Sequence, residues 1–440
     1  MKRPIVITLL IAALLLVLVG ISAVIFFTVR GGNSFRIDNQ PFATLEESKT
    51  IKVDAKSPVT LKVIDNAGSI TVVGADVDSV QVKAVKTAHA STQARADQEV
   101  KKIKYDIKQV GNTVTLKYES PNATTDLPNV NFFDAHWETV DFVIMVPNET
   151  KVNVDGNLGE VSISSIKGNA VITNGFGGVT VDNIEGALSV STNSGDVNAS
   201  SVKAASEDIE LHSDFGAVTL KNAGGSNITL DSNSGTITLR EVRVTGDITT
   251  KTDFGNTSFE NGSTNSLSIE TNSGAVILKK VTVNKEIKVR DDFGEIGLGQ
   301  AYAASYDLHT KSGSITIDGA KGKLKAYTDF GGIKIENAQA VTLDVKTNSG
   351  TVEFSGSLGV GPHMVNSDFG EIVLSLPAES KLDVDLKTDF GSIDSDLPIT
   401  VVTNGSSNSN SDQIVGSING GGDQLTVETK SGGVSINAST

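Results

Sequence analysis

Six Asp-Phe-Gly triplets are the first residues in this 440-residue chain whose types suggest chemistry: Asp214-Phe215-Gly216, Asp253-Phe254-Gly255, Asp292-Phe293-Gly294, Asp329-Phe330-Gly331, Asp368-Phe369-Gly370 and Asp389-Phe390-Gly391. In a protein kinase that aspartate holds Mg2+. The role also requires a Gly-rich loop, a strand lysine and a His-Arg-Asp catalytic loop, and the sequence has none of them. Between the triplets stand Asn193-Ser194-Gly195, Asn233-Ser234-Gly235, Asn272-Ser273-Gly274, Lys311-Ser312-Gly313 and Asn348-Ser349-Gly350. The leading residues of both kinds form one outward column at a turn, where carboxylates could hold Ca2+ weakly. Calcium-binding repeats spell their loops Gly-Gly-x-Gly-x-Asp, and Lys311 interrupts the column, so it reads as a turn-stabilising ladder with no metal and no cofactor.

The other reactive types are scattered. His212 and His309 each stand four residues before a turn glycine, five repeats apart, which is about 24 Å at the spacing of paired strands. They cannot share a metal. His89 and His136 lie near the N-terminus, His363 replaces an apolar residue, and no His or carboxylate spacing matches a ligand set. No Gly-x-Ser-x-Gly elbow or P-loop is present. Asp291, at an inward-phase position beside Asp292, is the one carboxylate that departs from the pattern.

The elements that position these residues follow from the repeat. From Leu188 to Ile393 a triplet ending in Gly returns every 18 to 21 residues, the mark of a stacked array. Seven and five residues before the glycine stand apolar residues such as Ile209 and Leu211 or Ile228 and Leu230. Two and four after it stand Val218 and Leu220 or Ile237 and Leu239. The intervening positions are Thr, Ser, Lys, Asp and Glu. Apolar residues at every second position describe strands with one buried face. Each unit is therefore strand, glycine turn, strand, loop, with turns at Gly195, Gly216, Gly235, Gly255, Gly274, Gly294, Gly313, Gly331, Gly350, Gly370, Gly391 and Gly432. Glycine suits such a turn because it takes positive φ without a Cβ clash, and the Asx side chain bonds its own backbone.

Alternation through the turn predicts that the residue before the glycine faces inward. Phe215, Phe254, Phe293, Phe330 and Phe369 then form a core ladder, each ring spreading over a small Ser in the adjoining coil. The double period of about 39 residues reads as this large–small packing. The expected fold is an all-β solenoid, a single-stranded β-helix of about 19–20 residues per coil. A seven-bladed propeller is the architectural rival.

Ahead of the repeats the chain is different. Lys2 and Arg3 precede an uncharged apolar run from Ile5 to Val29, closed by Arg30, and this exceeds the ~20 residues that span a bilayer. Residues 1–30 are expected to be a cytoplasmic tip and a retained signal anchor, a single pass through the cell membrane with the C-terminal part outside. Residues 31–44 read as a linker. Residues 45–155 hold a first coil around Gly68 and an α+β cap, with a short helix over Ser91–Lys102 and a hairpin across Gly111-Asn112. Phe132, Phe133 and Trp137 would be the exposed aromatics if this region were a separate binding module. Residues 156–440 are the solenoid. With Lys2, Arg3 and Arg30 set aside, 34 basic residues face 52 acidic ones, which disfavours nucleic acid as a partner. There are no cysteines, so stability rests on packing and hydrogen bonds.

Three stretches resemble the putative-adhesin β-strand-repeat family of bacterial envelope proteins, a domain of unknown function. They are Val140-Asp-Phe-Val-Ile-Met-Val-Pro147 leading to Gly159-Glu-Val161, the recurrent Thr-Asn-Ser-Gly-x-Val, and the ending Ile418-Asn-Gly-Gly-Gly422 with Thr429-Lys-Ser-Gly432. The resemblance covers roughly residues 50–440 and implies a β-solenoid at a cell envelope, behind one transmembrane helix. It lends no catalytic residues. The expected function is non-catalytic: a rigid, acidic solenoid presented for adhesion or structural interaction with a protein or glycan. The rivals are a β-helix carbohydrate-active enzyme and an envelope-stress sensor or regulatory partner.

Overall fold

The computed structural model describes residues 40–120, 137–404 and 412–439. The expected anchor over residues 5–29 lies outside them, as do Phe132, Phe133 and His136. Among the described residues no helix is long and apolar enough to cross a membrane.

The repeat is a coil of a parallel β-solenoid. In one coil the strand Ile209–Phe215 runs to Gly216, and the strand Val218–Gly225 leads on to Ile228–Ser234 of the next. Each strand pairs in parallel with the strand two places further on, like over like: Ile209 lies beside Ile228, Leu211 beside Leu230, Val218 beside Ile237 and Leu220 beside Leu239. This pairing excludes the propeller, whose blades are antiparallel sheets. The inward columns are mostly Val, Ile and Leu, with Phe259, Tyr306 and Phe354 among them, and join into one continuous core.

A second corner lies six residues after the turn glycine in the coils from Gly177 to Gly350. There the backbone takes left-handed φ at Asn183, Asn222 and Asn261, and also at Glu241, Lys280 and Gln300, with φ between 48° and 57°. Inward positions fall four and seven residues after the glycine, as at Leu239 and Val242 or Leu278 and Val281. An odd separation breaks strict alternation, so the chain must bend between them. Asn tolerates that conformation best, whereas Glu or Lys there costs roughly 1–2 kcal/mol, offset by burial of the next residue.

The order of coils departs from the order of sequence at both ends. The first coil, Val59–Asp65 and Ile70–Ala75, pairs in parallel with Thr150–Gly156 and Val161–Ile166 on its solenoid side. On its other side lie Thr113–Tyr118 and Trp137–Pro147. Beyond these, Asp106–Val110 pairs with one sheet, and Ser79–His89 followed by Phe42–Lys52 extends the other, all antiparallel. The expected hairpin is present. The helix is shorter than expected, Gln93–Glu99, with Thr92 Oγ1 accepting from the Arg95 amide at 3.3 Å. The strand Phe42–Lys52 begins inside the expected linker.

At the C-terminus the last coil is inserted. The strand Asp423–Ser431 pairs in parallel with His363–Phe369 on one side and with Leu382–Phe390 on the other. Likewise Val434–Ser439 lies between Ile372–Pro377 and Ile393–Ser395. The chain thus lays down the coil at 382–395 one place too far out and returns to fill the gap. Asp412–Ile418 and Ile399–Asn404 then extend the outer edge antiparallel.

Candidate functional surface

The glycine corner is built from three columns. Three residues before the glycine, a buried Ser or Thr hydroxyl at most corners donates to the turn carbonyl of the adjoining coil, Thr271 being an exception. Ser213 donates to Gly195 O at 2.9 Å, Ser232 to Gly216 at 3.0 Å, Thr328 to Gly313 at 2.9 Å and Thr429 to Gly370 at 3.0 Å. Each bond satisfies a buried carbonyl and a buried hydroxyl together. The glycines stack so closely that a Cβ on Gly274 would stand 2.1 Å from the Gly255 carbonyl oxygen. The expected glycines are therefore required by close approach of backbones; the expected positive φ is found at Gly195, Gly255, Gly274, Gly350 and Gly432 and not at the other seven turns.

One residue before the glycine, the expectation fails. Phe215, Phe254, Phe293, Phe330 and Phe369 are not a core ladder: they are 62–66 % exposed, as is Phe390, and Phe176 is 54 % exposed. The inward residues flanking the corner, three before and two after the glycine, are an odd number apart. Alternation must break between them, and it breaks at the ring, which lands on the convex outside of the bend. The interior there is already filled by the hydroxyl and the glycine.

Two residues before the glycine, the ladder is real. Asn233 Nδ2 donates to Asp214 Oδ1 at 2.7 Å, Asn272 to Asp253 at 3.0 Å and Asn348 to Asp329 at 2.6 Å. Lys311 Nζ meets Asp292 at 2.7 Å and Lys430 meets Asp368 at 2.9 Å. Asp on every coil would set like charges about 4.8 Å apart, and the intervening Asn or Lys removes that repulsion. Lys311 does not interrupt the column: its ammonium takes the place of the Asn amide beside Asp292.

The outer column therefore alternates Phe with Ser in space. Through paired coils it runs Phe176, Ser194, Phe215, then Ser234, Phe254, Ser273, Phe293, Ser312, Phe330, Ser349 and Phe369. In sequence the next triplet is Asp389-Phe390-Gly391, two aromatic coils in succession. The inserted coil places Ser431 between Phe369 and Phe390 and Lys430 beside Asp368, so the alternation continues to the end of the stack.

The remaining candidates are structural. His212 sits between Asp214, 3.2 Å away, and Asp231, 3.5 Å away. His309 packs edge-on against Tyr327. His363 is buried, accepts from the Leu343 amide at 3.3 Å and has its pKa lowered by burial. At the N-terminal end His89 stacks on Trp137, with Phe42 tilted against it. No group of three or more His, Cys, Asp or Glu side chains among the described residues is placed to hold a metal ion.

Asp291 occupies the inward position that carries Ser or Thr at most other corners and Asn174 at one, and Asp65 the same place in the first coil. Each accepts through Oδ1 from the amide two residues on, Phe293 at 3.1 Å and Ala67 at 3.0 Å, and each leaves a buried Oδ2 without a partner. Burial pushes Asp291 up to about 6, against the pull of the Phe293 and Asp292 amides. It pushes Asp65 up to about 7, with the Asp141 charge adding. An ionised Asp291 cannot donate to the Gly274 carbonyl, whereas a Thr would donate as Thr310 does to Gly294 at 3.2 Å. Both carboxyls bind a proton more tightly folded than unfolded. The stability they confer is full below about pH 4 and is lost as pH rises through about 6 and about 7. Asp291→Thr should match the native chain in urea unfolding near pH 4 and exceed it above pH 6. An advantage that is the same at both pH values would contradict the titration.

The model of the Toastrack DUF4097 family matches residues 64–261 and 259–437. No curated protein matches. Among solved structures, a putative cell adhesion protein from Clostridium sporogenes ATCC 15579 is 10% identical, with the match covering 90% of this chain and 100% of that one at a TM-score of 0.20. A putative adhesin from Bacteroides fragilis NCTC 9343 is 13% identical over 71% of this chain and 97% of the other, at a TM-score of 0.25. A putative lipid binding protein from Parabacteroides distasonis ATCC 8503 is 14% identical over 73% and 96%, at 0.22.

Proposed function

The chain belongs to the Toastrack DUF4097 family, and on that premise we propose that it is a non-catalytic, membrane-anchored envelope protein whose rigid acidic solenoid presents an interaction surface for adhesion. The observation that carries the reading is the exposed aromatic column. A soluble protein rarely leaves apolar groups in ordered array in water, and a patch of several hundred Å2 marks an interaction site. Here the rings contribute little to the core. They recur at every second coil, and the inserted C-terminal coil extends the same order beyond the sequence repeat. The surface around them is polar and acidic, which favours a directed contact over indiscriminate sticking. The extra antiparallel strands at the N-terminal end cover the sheet edge of the first coils.

The test compares the full chain with one carrying Phe215, Phe254, Phe293, Phe330 and Phe369 all replaced by Ser. Carried on lipid nanodiscs, so that the anchor cannot itself hold the chain, the native protein should be retained by intact envelope fragments and the variant released. Equal retention of both would sink the reading. The anchor carries a separate expectation: the mature protein keeps residues 1–30, and protease added to intact cells removes the solenoid. A released protein whose N-terminus lies beyond Arg30 would contradict it.

A further inference from the structure

The aromatic column has the shape and charge of a surface made to meet its own copy. Large and small residues alternate along it, Phe then Ser, and so do the flanking groups, with Asp on the Phe coils and Asn or Lys on the Ser coils. An extended face of this kind is complementary to itself when one copy is turned end for end and set so that each Phe meets a Ser. We propose that two copies of this chain pair antiparallel along the column, about a two-fold axis between the coils of Ser273 and Phe293. The proposal rests on the reading of the column as an interaction surface and names its partner.

That register engages the most rings. Phe293 faces the partner's Ser273, Phe254 the partner's Ser312 and Phe330 the partner's Ser234. At the ends Phe390 meets the partner's Leu158, which stands one coil before Phe176 and is also exposed. Asp253 then faces the partner's Lys311, and no Asp of the column faces another Asp. A two-fold contact of this kind closes, so it gives a pair and not a filament. The area suffices: seven rings, each about two-thirds exposed and of roughly 200 Å2, offer about 900 Å2, against the ~800 Å2 per partner of a stable interface. Chains anchored by their N-termini and paired end for end would reach toward each other from two facing membranes.

The chain has no cysteine, so single cysteines report the register cleanly. In the pair the two copies of residue 273 lie one coil rise apart along the stack, about 4.8 Å, and the two copies of residue 349 lie seven rises apart, about 34 Å. The full chain, reconstituted one copy per lipid nanodisc, is treated with a short bis-maleimide. Ser273→Cys should give a cross-linked dimer and Ser349→Cys none. Adding Phe254→Ser and Phe330→Ser to Ser273→Cys should reduce the dimer to background. Absence of dimer from Ser273→Cys, equal cross-linking at both sites, or a yield indifferent to the two Phe changes would overturn the pairing. Phe-dependent retention of an uncross-linked chain on purified insoluble cell-wall glycan would also overturn it, and would leave the adhesion reading in place with carbohydrate as the partner. A native chain that neither pairs nor is retained by envelope fragments would take that reading down as well.

Discussion

Truncation after Gly420 is expected to dissolve the coil at 382–395 together with the last coil, although that segment precedes the cut. Residues 423–439 lie between the coils at 363–377 and 382–395, and both depend on them. The Gly370 amide donates to Ser431 O at 2.9 Å, and the Gly432 amide to Phe390 O at 3.0 Å. Leu425, Val427, Val434 and Ile436 are fully buried. At about 1.5–3 kcal/mol per buried aliphatic side chain, their removal forfeits roughly 6–12 kcal/mol. Direct re-docking of 382–395 onto 363–377 would set Asp389 beside Asp368 and Phe390 beside Phe369 on adjacent coils, the crowding that the insertion avoids. Limited proteolysis with mass spectrometry should find new cuts across 378–404 and 412–419, while coils before residue 355 stay resistant, because solenoid coils lean mainly on their neighbours. Continued protection of 382–395 would show that the inserted order is dispensable.

Gly274→Ala should cost more than about 4 kcal/mol, at the extreme of single substitutions. The added Cβ would lie 2.1 Å from the Gly255 carbonyl oxygen and 2.5 Å from its carbon. Neither backbone can retreat. The Gly255 amide is bonded to Ser273 O at 2.9 Å, and a close-packed interior lies behind it. Gly297→Ala is the control: its Cβ would meet nothing nearer than 3.9 Å, so it should be almost neutral. Urea unfolding and hydrogen exchange separate the two. A mild Gly274→Ala would mean that the corners are looser than the stack of carbonyls requires.

Much of the fold was legible because its signals are local. Ile209, Leu211, Val218 and Leu220 alternate within single strands, and the glycine of each triplet marks a turn that only glycine fits. What alternation could not supply was its own failure at corners. Counting by twos from Ser213 puts Phe215 inside, while counting back by twos from Val218 puts it outside, and that conflict was the available sign of a bend. The same conflict between Leu239 and Val242 marked the second corner at Glu241. The hydroxyl column was also visible, in Ser213, Ser232, Thr252, Thr328 and Thr347, which stand at an inward phase where a core would otherwise carry Val. The inserted coil left one trace: Phe369 and Phe390 in successive triplets, with Ser431 supplied later. Pairing between distant segments has no local code, so only the broken rhythm pointed to it. For the site, the spacing of Asp and Asn predicts the ladder that the structure has, whereas alternation alone puts the rings beside it in the core.

The central claim, that the aromatic column is surface and not core, is tested most directly by unfolding the chain in which Phe215, Phe254, Phe293, Phe330 and Phe369 are all Ser. Exposed positions cost within about 0.5 kcal/mol each, so at a dilution where copies do not pair the urea midpoint and slope should stay close to those of the native chain. Buried rings would cost about 3–5 kcal/mol each, and five such losses would leave the middle of the stack unfolded without denaturant. A midpoint that holds supports the account, and a collapsed stack would contradict it.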